Sequence, residues 1–190
     1  THTGGIPHCE SAMNAIVESV PYRDRKRSTW LLSMAVPLLA AAGPLLYLAS
    51  AEVWTLWWPV LLVYIGLPVA DLIVGEDRSN PPEAAMAELD ADPYYRVIAW
   101  MMVPLLWIAF VFAAWFVARH ALPWHGMLAV TIATGVVGGF CINIGHELGH
   151  KRGAFERRLA KLVLAPTGYG HFHVEHNRGH HRYVATPEDP

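Results

Sequence analysis

GMLAVTIATGVVGGFCINIGHELGHK, residues 126–151, runs twenty uncharged residues (126–145) directly into a pair of histidines. A helix of that length rises about 30 Å, the thickness of a bilayer's hydrocarbon core. The stretch therefore reads as a transmembrane helix that delivers His146 and His150 to one membrane surface. Their i, i+4 spacing puts both imidazoles on one helical face, within reach of a common ion.

Downstream, GYGHFHVEHNRGHHR at 168–182 brings the total to seven histidines in 36 residues. His176 and His180 repeat the i, i+4 spacing. On an ordinary helix His181, at about 100° from His180, points away from that pair and is free to serve a second ion. Imidazole suits zinc, copper, iron and nickel, and a zinc site closes with three or four protein ligands. Five candidates from two segments therefore favour a dinuclear centre. His171 and His173 lack such spacing and read equally well as ordinary hydrogen-bonded or solvated side chains.

Three further apolar runs precede this one, at Ser28–Ala51, Val53–Ala70 and Val97–Ala118, beside Gly126–Gly145. A 54% hydrophobic chain with eight tryptophans exposes much of that surface to lipid. Pro37, Pro44, Pro59, Pro68 and Pro104 lie inside the runs, which a membrane bundle tolerates where neighbours satisfy the freed carbonyls. Trp54, Trp57, Trp58, Trp100, Trp115 and Trp124 fall near run ends, as interfacial tryptophans do. The expected fold is all-α, a polytopic transmembrane helical bundle with a histidine-rich metal site at its cytoplasmic side.

Basic residues cluster at Arg23, Arg25, Lys26 and Arg27 and again at Lys151, Arg152, Arg157, Arg158 and Lys161, so both clusters are expected in the cytoplasm. Three regions follow: a cytoplasmic segment at 1–27, four transmembrane helices over 28–145 with a cytoplasmic insertion at 75–96, and the histidine-box region 146–190. The insertion should turn at Asn80-Pro81-Pro82 and then form a short surface helix. Residues Arg152–Leu164 read as an amphipathic interfacial helix with Phe155, Leu159, Leu162 and Val163 on its apolar face. The polar first 27 residues do not resemble a cleavable signal, so the first apolar run serves as the insertion signal. Cys9 and Cys141 sit in unlike environments, which predicts neither a disulfide nor a cysteine metal site. The small net charge of −2 offers no nucleic-acid reading.

GHELGHK, GYGHFHVEHNRGHH and the adjoining VATPEDP, with GEDRSNPPE and DPYYR upstream, resemble the integral-membrane alkane 1-monooxygenases of the membrane fatty acid desaturase and hydroxylase superfamily. The likeness runs from about residue 28 onward, and the second box is its most specific part. It implies that His146, His150, His176, His180 and His181 ligate two non-haem irons, with Glu147 and Glu175, and more weakly Asp71 and Asp189, orienting those imidazoles. It also implies an n-alkane of medium or long chain as substrate, O₂ as oxidant, rubredoxin, separate or fused, as electron donor, and the bacterial inner membrane as location. That family completes its centre with an HxxHH box and an EHYG histidine, neither of which occurs in these 190 residues. Five imidazoles do not saturate two irons, so the chain reads as the amino-terminal part of a longer enzyme.

An alkane offers no polar handle, and a slot between helices is expected to bind it, with Tyr64, Trp58, Trp107 and Phe140 as the inward-facing candidates. Lys151, Arg152 and Arg178 are candidates for pairing with an acidic donor. HELGH also satisfies the HExxH pattern of zinc proteases, a reading that leaves the second box redundant. A fatty-acyl desaturase or an aromatic methyl hydroxylase would use the same boxes. A metal transporter would instead place ionisable groups within several spans, which these runs scarcely offer.

Overall fold

The computed structural model describes residues 22–77 and 79–189, with the side chains of His173 and Asn177 outside that description. Cys9 and most of the amino-terminal segment assigned above to the cytoplasm lie outside the described residues. All described regular structure is helical. Three helices are long and apolar enough to cross a membrane, Val53–Val74, Pro93–Arg119 and Trp124–His150, and a bent pair at 27–50 makes a fourth if counted as one span.

The first apolar run is a 3-10 segment, Arg27–Ala35, followed by helix α1, Leu38–Ser50, at an angle of 52°. Pro37 is the reason for the break. It has no amide hydrogen to donate, so the helical ladder is interrupted there although Val36 and Pro37 both keep helical φ/ψ. Ala51, in the left-handed region at φ 59°, turns the chain into α2, Val53–Val74. Within α2 the stretch Leu62–Gly66 is a π turn, in which Leu67 N–H reaches back to the Leu62 carbonyl. Pro68 follows at once, and the wider turn accommodates a residue that cannot donate to the helical ladder.

The insertion after α2 folds into a short helix, α3, Glu83–Ala91. Asp92 then caps α4, Pro93–Arg119, by accepting a 2.8 Å hydrogen bond from the Tyr94 amide, and it also holds Arg27 at 2.6 Å. The Arg27 bond keeps the Asp92 carboxyl below the usual carboxylate range. Helix α5, Trp124–His150, packs along α4 and α1, and α6, Ala154–Leu164, folds back against the last turns of α5.

Most of the buried side chains lie between these elements. Met102, Val103 and Leu106 of α4 meet Val137, Cys141 and Leu148 of α5 and Ala160, Val163 and Leu164 of α6, while Leu56, Phe116 and Ala129 form a second cluster toward the opposite end. Elsewhere the apolar surface stays open, as lipid-facing helices require. At the end of α2, Leu72, Ile73 and Val74 are each about 80% exposed (85, 79 and 83%).

Along α6, Ala160, Val163 and Leu164 are buried against α5, whereas Phe155 and Leu162, assigned above to the apolar face of an interfacial helix, are exposed. The groove that α6 enters accepts small and branched side chains, and Phe155 instead meets Trp100 edge-on at 5.2 Å.

Glu156, whose side chain is only 4% exposed, pairs with Arg96 of α4 and ties α6 to that helix. Arg96 and then the residue's own amide hold the Glu156 carboxyl below its ordinary value of 4.5. A depressed folded-state pKa stabilises the fold above the unfolded value and ceases to as pH falls through the folded value. Glu156→Gln is therefore expected to cost about 1 kcal/mol near pH 7, modest because Arg96 is partly solvated. The difference from wild type should shrink in thermal unfolding below pH 4.5, and an equal difference at both pH values would show that the charge is immaterial.

Candidate metal centre

The histidine region forms where α5 ends. His146 and His150 sit on the last turn of α5 with their Nε2 atoms 3.1 Å apart. After α6 a short 3-10 turn, Ala165–Thr167, and Gly168 at φ 71° reverse the chain, and a compound helix at 172–183 returns across the end of α5. This helix, α7, begins with Phe172–Val174, passes through a π segment at Glu175–His180 and ends with His181–Tyr183.

That π segment changes which histidines converge. In a π turn, residues five apart are stacked by i→i+5 hydrogen bonds, and the His181 amide does reach the His176 carbonyl. His176 and His181 consequently face one another with Nε2 atoms 2.9 Å apart. The expectation that His181 points away from His176 assumed α-helical rotation throughout and is replaced by this geometry. Ligand atoms of His146, His150, His176 and His181 all lie within 4.8 Å of one another.

His180 stands beside this ring and not in it, with its imidazole stacked on His176 at 5.5 Å and its Nδ1 3.0 Å from both carboxylate oxygens of Asp189. Asp189 thus holds one of the five histidines in the way carboxylates commonly orient metal-binding imidazoles. The other acidic candidates are placed differently. Glu147 pairs with Lys151 at 2.8 Å, Glu175 lies 3.7 Å from His171, and Asp71 is exposed near the end of α2.

The donor set fits a transition metal. Burial, followed by the adjacent His146, His181 and His150 rings, pushes His176 below the usual imidazole range, so it is neutral near pH 7, the form that coordinates. Phe172 stacks against the same ring at 5.0 Å, fixing its plane. Lys151, one residue past His150, also reaches Asp90 of α3, so an ion-pair bridge anchors the last turn of α5 to the insertion.

The four candidate substrate-slot residues do not come together. Tyr64 and Trp58 are 62% and 50% exposed on α2, Phe140 is on the outer face of α5, and Trp107 donates its indole hydrogen to the Leu162 carbonyl at 2.9 Å. A cavity of about 630 Å³ instead lies between α4 and α5, lined by Leu106, Phe110, Val117, Val130 and Ile142 among others. Sequence reasoning missed these because they are ordinary aliphatic and aromatic residues of two spans, distinguished only by facing each other.

Residues 121–190, which contain the ring, match the fatty acid desaturase family. Alkane 1-monooxygenase 1 of Alcanivorax borkumensis is 47% identical over 89% of this chain and 42% of its own length. The chain is a homologue of the alkane 1-monooxygenases. Those of Pseudomonas putida and Ectopseudomonas oleovorans are each 43% identical, over 93% and 92% of this chain and 44% of their own lengths. The chain thus spans less than half the length of these curated relatives, and the histidine ring falls within the shared part. With three helices long and apolar enough to cross a membrane among the described residues, and a fourth if the bent pair is one span, it is a multi-pass membrane protein.

Proposed function

We propose that the protein containing this chain is a non-haem diiron monooxygenase that hydroxylates the terminal methyl of medium- or long-chain n-alkanes to 1-alkanols. O₂ is the oxidant and rubredoxin the electron donor. The supporting observation is the convergence of four imidazoles at the end of a membrane-length helix, in a chain 43–47% identical to alkane 1-monooxygenases. Iron bound there would supply the O₂ activation that an unactivated C–H bond demands.

In this reading His146, His150, His176 and His181 hold metal directly, and His180 joins them with its Nδ1 engaged by Asp189, which leaves Nε2 free to ligate. Glu147, Lys151 and Asp90 fix the rotation of the last α5 turn. The cavity between α4 and α5 binds the alkane by apolar burial, worth about 0.8 kcal/mol per methylene. Ile142 in its wall is one turn before His146. Lys151 is only 19% exposed and already doubly paired, so Arg152 and Arg178 are the better candidates for meeting an acidic donor.

The basic clusters at 23–27 and 151–161 lie at one end of the bundle, as the Arg27–Asp92 and Lys151–Asp90 pairs require. The positive-inside tendency then puts that end, with the ring and the amino terminus, in the cytoplasm of a bacterial inner membrane.

The test is metal and product analysis of the full-length protein in lipid. Two irons per chain and 1-octanol from octane are expected. A new double bond would favour a desaturase, and zinc with chelator-sensitive peptide cleavage would favour a protease. Asp189→Asn is expected to weaken metal binding about 10- to 100-fold while helix content stays unchanged, and wild-type affinity would remove Asp189 from the site.

A further inference from the structure

The outward face of α6 lies at the membrane surface and carries cations that the fold leaves unpaired. Glu156, near the start of α6, pairs with Arg96, the last charged residue before the uncharged stretch 97–118 of α4. Leu164, at the other end, packs against Gly145, where the uncharged stretch 126–145 of α5 stops. Both ends of α6 are thereby held at the level where two membrane-length runs end, which is the edge of the hydrocarbon core. Glu156, Ala160, Val163 and Leu164 make up the buried side of the helix, and at about 100° per residue Arg158 stands opposite them.

The two flanks of Arg158 differ. On one side are Phe155 and Leu162, 54% and 47% exposed. This strip adjoins α4, where Phe155 meets Trp100 edge-on and the Leu162 carbonyl accepts the Trp107 indole hydrogen. On the other side are Lys161 and Arg157, both exposed. Arg157 donates to the Arg152 carbonyl, while Arg158 and Lys161 have no ion-pair partner among the described residues. Lys26, Arg27, Arg96 and Lys151, at the same end of the bundle, are by contrast each paired with a carboxylate. Arg158 and Lys161 are three residues apart, so they are neighbours on the helix surface. An acidic protein would satisfy these cations and leave Phe155 and Leu162 in water. An anionic lipid answers both halves of the face, its phosphate meeting the cations and its acyl chains the apolar strip.

We propose that the outward face of α6 binds an anionic phospholipid, with Arg158 and Lys161 on the phosphate and Phe155 and Leu162 against the acyl chains. A zwitterionic lipid brings its own ammonium group to that phosphate, so a phosphatidylglycerol-type head group is preferred. The site is separate from the histidine ring and does not need metal.

The test is native mass spectrometry of the full-length, metal-free protein with equimolar phosphatidylglycerol and phosphatidylcholine, plus a phosphatidylglycerol bearing an acyl-chain diazirine to map the contact. Preferential retention of phosphatidylglycerol is expected, with adducts between residues 155 and 162. Arg158→Gln/Lys161→Gln should weaken phosphatidylglycerol binding about fivefold for each cation lost, about 30-fold together. Arg158→Lys/Lys161→Arg, which keeps both charges, should bind as wild type does. Arg119→Gln, an exposed position at the opposite end of α4, should leave binding unchanged. Because Arg158 and Lys161 are exposed, helix content should stay at the wild-type level in every variant. Equal retention of the two lipids, absence of adducts on α6, or undiminished binding in the double glutamine variant would overturn the proposal. So would a double glutamine variant that keeps its phosphatidylglycerol but loses affinity for rubredoxin, which would make the face a protein dock. Since the readout uses metal-free protein, its failure leaves the diiron reading standing, and failure of the metal and product analysis leaves this site standing.

Discussion

Under the proposed function, alanine in place of His176 is expected to remove metal from the centre and to lower alkane hydroxylation by the full-length protein more than about 100-fold, beyond the loss typical of an orienting residue. His176 is the hub of the ring. Its centroid lies 4.5 Å from His146, 5.3 Å from His150, 4.4 Å from His181 and 5.5 Å from His180. Among the described residues, only it and His181 bring α7 imidazoles to the pair on α5, and without it His181 alone keeps that contact, with His150 at 4.9 Å. His171→Ala is the control, because that ring is 58% exposed and lies outside the ring of four, meeting Glu175 at 3.7 Å and Tyr169 edge-on at 4.9 Å. It should keep metal content and activity within about twofold, as surface changes generally do. Metal per chain by mass spectrometry, with product formed per minute, separates the two variants. Wild-type metal content in His176→Ala would remove the ring from the ligand set.

The membrane architecture was legible in composition, since lipid contact selects long uncharged runs whatever their neighbours. What those runs concealed was local backbone geometry. Pro37 breaks the first run into two pieces at 52°, and the π turn at Leu62–Gly66 precedes Pro68. Residue spacing alone does not distinguish an α turn from a π turn, and at Glu175–His180 that difference decides whether His180 or His181 joins the ring. Facing was the other hidden quantity. Tyr64 and Trp58 look like slot residues in a one-dimensional reading, yet they lie exposed on α2, and in α6 it is Val163 and Leu164 that pack into the core. The histidine pair on α5 needed no such knowledge, because i, i+4 positions converge on any α-helix.

The groove exists because of one glycine, and filling it is expected to disturb both fold and site. A Cβ on Gly145 would lie 2.6 Å from Leu164 Cγ and 2.8 and 2.9 Å from its two Cδ atoms. Leu164 is fully buried, so it has no room to retreat. Gly145→Ala is therefore expected to destabilise the protein by about 1–3 kcal/mol through overpacking. Leu164→Ala alone should cost about 2–5 kcal/mol by opening a cavity. Combined, the added methyl occupies part of the space the leucine leaves, so the double variant should be less destabilised than the sum by about 0.5–3 kcal/mol. Because Gly145 immediately precedes His146, pushing α6 away from α5 also moves the chain that carries His176 relative to the first histidine pair. A misplacement of about 1 Å can cost about 100-fold in rate. Metal content should accordingly fall in Gly145→Ala and recover in part in Gly145→Ala/Leu164→Ala, even though the second substitution removes core volume. Thermal unfolding in nanodiscs and metal per chain would measure the two effects. Strict additivity in stability, or no recovery of metal, would mean that the contact between these helices does not set the spacing of the histidines.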